Sequence, residues 1–147
     1  MPLPVNEYRG PWPKLIVSGL AGGVVINVIE WIAHRVLLDE QWRQAFVALG
    51  RLPAGWNTFI AANFLVGVIA VWTYRWLSKL YGRSVSTAIR TALAIWIVFW
   101  VIPILGMQPL DIFPNSLIAW VIIVGIADGI LGILPGIWLY ERLTEQG

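Results

Sequence analysis

Cysteine is absent from these 147 residues, and histidine occurs once. The first absence removes disulfides, thiolate metal ligands, iron–sulfur clusters and thiol nucleophiles together. The second leaves too few nitrogen and sulfur donors for a protein-only metal site, which needs three or four ligands. Charge is scarce as well. Asp, Glu, Lys and Arg make up 12% of the chain, about half of what a soluble domain carries. Hydrophobic residues make up 59% and the mean hydropathy is +0.75. The net charge is only +2, and the basic residues stand at the ends of apolar runs instead of alternating with exposed aromatics, which argues against nucleic acid as a partner.

What the chain does have is four long apolar runs, at 15–37, 58–77, 87–105 and 116–139. A helix rises about 1.5 Å per residue and needs roughly 20 residues to cross ~30 Å of hydrocarbon, so each run predicts one transmembrane helix. The expected fold is all-α: a single integral membrane domain over residues 1–147, built as a four-transmembrane-helix bundle in contact with membrane lipids. The first run is longer than a signal-peptide core and ends in Glu30, His34 and Arg35 without a small-residue cleavage site, so it is expected to be retained.

The connections carry their own signals. Residues 1–14 form an extended lead with four prolines, and Pro13 suits an early helical position. Between spans one and two, Trp42, Phe46 and Leu49 recur at helical spacing, with Asp39, Glu40, Arg43 and Gln44 mostly elsewhere, predicting a short interfacial amphipathic helix. Residues 50–55 then turn the chain into span two. Gly82 is a stop for span two, Ser84 or Ser86 a cap for span three, and Asn115 or Ser116 a cap for span four. The apolar connection 107–114, with two prolines, is expected to dip into the interface.

Basic residues accumulate in cytoplasmic loops. Arg9, Lys14, Arg75, Lys79, Arg83, Arg90 and Arg142 fall on the side of both termini, and Arg35, Arg43 and Arg51 on the other. The expected placement is a bacterial inner (cytoplasmic) membrane with both termini cytoplasmic. Trp12, Trp56, Trp76 and Trp138 fall near span ends, at headgroup level, while Trp72, Trp96 and Trp100 lie deeper.

Two stripes stand out within the spans. Gly19, Gly23, Asn27, Glu30 and His34 recur at intervals of four, four, three and four, within an ~80° sector of one helix face. Gly125, Gly129, Gly132 and Gly136 recur at four, three and four, with Asp128 beside them. The glycines predict close helix approach. Antiparallel spans one and four would set Gly23 level with Gly132 and Asn27 opposite Asp128. Asn27, Glu30, His34 and Asp128 then form a polar intramembrane seam, to which Asn63, Gly67, Ala70 and Tyr74 of span two and Arg90 and Thr91 of span three add. A carboxyl near the bilayer centre costs ~2.5–3.5 kcal/mol, so Asp128 is expected to be functional or partnered. Glu30 and His34, one turn apart, can share a proton or a hydrogen bond. His34 is either a hydrogen-bonded bundle residue or an axial ligand for a haem or chlorophyll-type pigment.

The segments INVIEW at 26–31, VWTYRWLSKLYG at 71–82, TAIRTALAIW at 87–96, PNSL at 114–117 and GIWLYER at 136–142 resemble a widespread group of small, uncharacterised bacterial four-span membrane proteins. The resemblance implies the architecture and no chemistry. The sequence shows no nucleophile elbow or phosphate-binding loop, and regular helices would place no pair of carboxylates at one depth for acid–base work, so no enzymatic activity is expected. The primary expectation is a non-catalytic accessory or structural subunit packed against a larger membrane complex, one handling electrons or pigments, or assembled as a homo-oligomer. Trp72, Trp96, Phe99 and Trp100 would then face a partner, lipid or a cofactor. The first alternative is a small proton-coupled carrier or channel that uses Asp128, Glu30 and His34, and the second a membrane enzyme that acts on lipid or quinone through Glu30.

Overall fold

A computed structural model describes residues 10–51 and 55–146. Among them, four helices are long and apolar enough to cross a membrane: α1 (Trp12–Leu37), α3 (Asn57–Tyr81), α4 (Val85–Leu110) and α5 (Asn115–Glu145). A fifth, short helix α2 (Asp39–Ala48) lies between the first two spans. The chain is all-α, and its spans pack as a four-helix bundle in which α1 lies against α3 and α5, and α4 closes the other side against the same two helices. Of the extended lead expected over residues 1–14, residues 1–9 lie outside the described residues and 12–14 already belong to α1; of the turn expected over 50–55, residues 52–54 lie outside them.

Local chemistry explains where the helices begin and end. Pro13 sits in the first turn of α1, where its missing N–H costs no hydrogen bond. Asp39 and Glu40 occupy the first turn of α2, next to its positive dipole end. Gly82 ends α3 at φ 79°, a left-handed conformation that glycine adopts without strain. Ser84 then caps α4, its hydroxyl accepting from the Thr87 amide at 3.1 Å. At α5 the expected Asn115 or Ser116 cap is not used: Pro114 holds the cap position and no side chain bonds the first amides.

Three spans contain a stretch of widened, π-helical turn: Ile32–Leu37 in α1, Ile97–Val101 in α4 and Asp128–Ile133 in α5. The latter two immediately precede Pro103 and Pro135. A proline ring clashes with the carbonyl four residues back, and opening the helix by one residue relieves the clash.

The glycine stripes pack, with partners different from those expected. Gly19 and Gly23 face α3, not α5. A Cβ on Gly19 would overlap the Val68 backbone, a Cβ on Gly23 would lie 2.8 Å from Phe64 Cα, and Gly67 meets the backbone of Gly19 and Gly23 in return. The α1–α5 approach is made by Gly22, which is off the predicted stripe, against Gly132 and Gly136. Gly125 and Gly129 face α4 instead: a Cβ on Gly125 would strike the Trp100 ring, and Gly129 lies over Ala92. The stripe on α5 therefore splits between two partner helices, because the widened turn at Asp128–Ile133 adds one residue and rotates the rest of the helix by about 100°.

Candidate functional site

The polar residues of α1 sort into two groups. Asn27 does not face Asp128. Its side-chain amide donates to the Gly23 carbonyl at 3.0 Å and to the Ile60 carbonyl of α3 at 3.2 Å, and its oxygen accepts from Asn63 at 3.1 Å. Asn27 thus locks α1 to α3. The residue that neighbours Asp128 is Glu30, one turn further along α1. The predicted register fails by that one turn because it assumes regular helices, and Asp128 opens a widened one.

Glu30 is the hub of the site. Its Oε2 lies 3.1 Å from His34 Nε2, and its Oε1 accepts from Trp100 Nε1 of α4 at 3.2 Å. Asp128 of α5 is fully buried beside it, and as placed neither Asp128 oxygen has a hydrogen-bond partner among the described residues. His34 is buried too, and its Nδ1 accepts from Trp42 Nε1 of α2 at 2.8 Å. Four helices contribute to one line of contacts: Trp42, His34, Glu30 and Asp128, with Trp100 alongside. Three of these side chains stand on the widened turns, His34 on the first, Trp100 on the second and Asp128 on the third.

This geometry fixes the tautomer of His34. The indole N–H can only donate, so Nδ1 must be the unprotonated nitrogen, and the imidazole proton sits on Nε2, where it donates to Glu30. Both nitrogens are therefore occupied. An axial bond to a haem or chlorophyll metal would have to displace Trp42 or Glu30, so His34 as placed does not fit a pigment ligand. The described residues hold no cluster of three or more His, Asp or Glu able to bind a metal ion.

The two neighbouring carboxyls have a simple requirement. A carboxylate accepts and cannot donate, so Glu30 and Asp128 repel when both are ionised, and a single proton between them turns the contact into a hydrogen bond.

Helix α2 closes the site from one end. Trp42 packs edge-on against Phe113 with centroids 5.3 Å apart, and Phe46 meets the same ring at 6.2 Å. The 107–114 connection thus folds under α2: helix α4 runs on to Leu110, Asp111 turns the chain with a left-handed backbone at φ 48°, and Phe113 supplies the floor. Leu49, expected on the packed face, is exposed. On α2's outer face Arg43 hydrogen-bonds Glu40 at 2.6 and 2.9 Å, and this holds the Glu40 carboxyl below its usual titration range.

Toward the other end of the bundle the interior holds Ser18, Thr91, Tyr74 and Tyr140, all buried, and Glu141 paired with Arg83 at 3.7 Å. Thr91 donates to the Thr87 carbonyl, whereas Ser18 Oγ has no partner among the described residues. Arg90, expected in the seam, is exposed and lies over the Tyr81 ring. The predicted end tryptophans sit under cations: Trp12 below Arg75, Trp56 below Arg35, Trp76 below Lys79 and Trp138 below Arg142.

Trp42 and Trp100 are the site residues that sequence reasoning missed. Both are indoles on apolar stripes, and nothing in their spacing marks the N–H as a donor to the seam. Comparison of the chain with protein-family models, curated proteins and solved structures finds no match.

Proposed function

We propose that this chain is a small proton-coupled membrane carrier whose proton-handling group is the Glu30–Asp128 carboxyl pair, with His34 as its relay. One observation carries the reading: inside a bundle of four candidate spans, Glu30 joins a buried histidine on one side and a fully buried carboxyl on the other. Ionisable groups within a membrane are costly, and in contact with one another they mark ion paths. Asp128 as the neutral acid donates to Glu30. His34 carries its proton on Nε2 and so cannot take one from Glu30. It relays toward the carboxyl pair: movement of Trp42 with α2 frees Nδ1 to accept a proton from the α2 side, and Nε2 then passes its own to the ionised Glu30.

The placement that goes with this reading is a bacterial inner membrane with both termini cytoplasmic, supported by seven basic residues on one side against three on the other. The seam then ends under α2 on the outer face, and the Arg83–Glu141 pair lies toward the cytoplasm. Membership of the small four-span bacterial group fits the same architecture. The accessory-subunit reading takes second place: its support is the broad apolar outer surface, which lipid covers equally well.

The test is proton flux into proteoliposomes driven by a potassium diffusion potential. The wild type should carry protons, and Asp128→Asn should abolish the flux while the protein stays folded and inserted, as judged by circular dichroism. Flux retained in both Asp128→Asn and Glu30→Gln, or a wild type that carries no protons alone or with a co-substrate, defeats the proposal.

A further inference from the structure

A lateral groove of about 520 Å³ runs between α1 and α3, and Glu30 is the member of the buried line that reaches it. The Glu30 side chain is 17% exposed, against none for Asp128. Val28, Phe59 and Ile60 on the groove walls are themselves exposed on the face the bundle turns to lipid, so an occupant enters from the bilayer and carries an apolar tail.

Hydrogen-bonding capacity defines the head. Asn27 commits both its donors to main-chain carbonyls. Asn63, which lines the groove, commits one N–H to Asn27 and keeps a second N–H and its carbonyl oxygen for an occupant. Each Glu30 oxygen accepts one bond, from His34 or Trp100, and with the neutral Asp128 donating a third, one Glu30 lone pair remains. The groove therefore offers one amide donor and several acceptors, which matches a group with a hydroxyl to donate and an oxygen to accept. Charge restricts it further: a cationic head would meet Arg35 at the mouth and an anionic head would meet Glu30, so a neutral head fits. The Trp31 and Trp56 indoles also line the groove and favour a flat ring.

We infer that the α1–α3 groove seats a neutral, hydroxyl-bearing aromatic ring with a long apolar tail, a molecule of the prenylated phenol or quinol class. This rests on the carrier reading only in making the bound molecule its cargo; the binding itself is measured apart from flux.

The probe is tritiated decylbenzoquinol, kept reduced, with the full chain in nanodiscs and empty nanodiscs as the blank. One molecule per chain should bind saturably. Asn63→Leu should weaken binding about ten-fold, the effect of losing one to two hydrogen bonds. Ile60→Trp fills the groove from its lipid-facing wall and should abolish binding, and Val28→Phe narrows the same groove from α1. Decylbenzene, which has the tail and ring without the hydroxyls, should not compete. Equal competition by decylbenzene, stronger competition by tetraphenylphosphonium or dodecyl phosphate, or binding unaltered by both groove-filling variants overturns the assignment. Quinol binding with no proton flux would leave the seat standing and sink the carrier, and flux without quinol binding would do the reverse.

Discussion

Replacing Trp42 with Phe removes the indole N–H that ties α2 to the buried histidine of α1. The indole N–H donates to His34 Nδ1 at 2.8 Å, and this acceptor is buried under α2. A phenyl ring keeps most of the contact with Phe113 and Phe46, so the main loss is the bond itself. An acceptor left unsatisfied in an interior costs about 1–3 kcal/mol, and a central value of about 2 kcal/mol raises the unfolded fraction about 30-fold. Phe46→Leu, which trims the same aromatic cluster without touching His34, is the control. Unfolding equilibria in mixed micelles should separate the two variants by most of that difference. His34 is the single histidine of the chain, so a histidine-labelled nitrogen NMR spectrum reports one imidazole. The wild type should show an unprotonated, hydrogen-bonded Nδ1 and a protonated Nε2, and in Trp42→Phe the Nδ1 resonance should move toward that of a nitrogen with no donor. A wild-type spectrum with the proton on Nδ1, or a Trp42→Phe variant no less stable than Phe46→Leu, would refute the reasoning.

The packing and the outer face of α2 give two further outcomes. Gly67→Leu drives a side chain into the α1 backbone at Gly19 and Gly23 and must part α1 from α3, breaking the Asn63–Asn27 bond; the expected loss is about 3 kcal/mol, the upper end of overpacking, read by the same micelle unfolding assay. Arg43→Met should return the Glu40 carboxyl upward toward its ordinary titration range, followed by carbon NMR of that carboxyl. Because Glu40 titrates low in the folded chain, its contribution is present at neutral pH and is lost as pH falls through that lowered value, so the wild type and Arg43→Met should converge in stability on acidification.

The number and order of the spans are legible in the sequence because apolar length is a direct physical requirement of a bilayer, and α2 is legible from the spacing of Trp42 and Phe46. Helix ends are less so. The apolar runs stop where charges begin, yet α3 continues to Tyr81 and α5 to Glu145, because Lys79 and Arg142 lie over Trp76 and Trp138 and carry the helix into the interface. The contact of Glu30 with His34 is legible, being local on one helix. The expected pairing of Asn27 with Asp128 is not found, since pairing across helices depends on register, and a widened turn alters the register. Pro103 and Pro135 are the available signals for two of those turns. The one at Ile32–Leu37 has no proline behind it, and we have no sequence-level account of it.

The widened turn in α5 also changes what chain length means in that helix. In a regular helix one face looks the same way from end to end, and a partner on one side sees the whole stripe. Here the segment before Asp128 is phased to α4, through Gly125 and Gly129, and the segment after it is phased to α1, through Gly132 and Gly136. Deleting a single residue between Asp128 and Ile133 would restore regular hydrogen bonding locally, yet it would turn everything beyond by about 100° and carry Gly132, Gly136 and Glu141 away from their partners. Residue count in this stretch works as an angular setting. One continuous helix serves as two that face different neighbours, and Asp128 stands where they join.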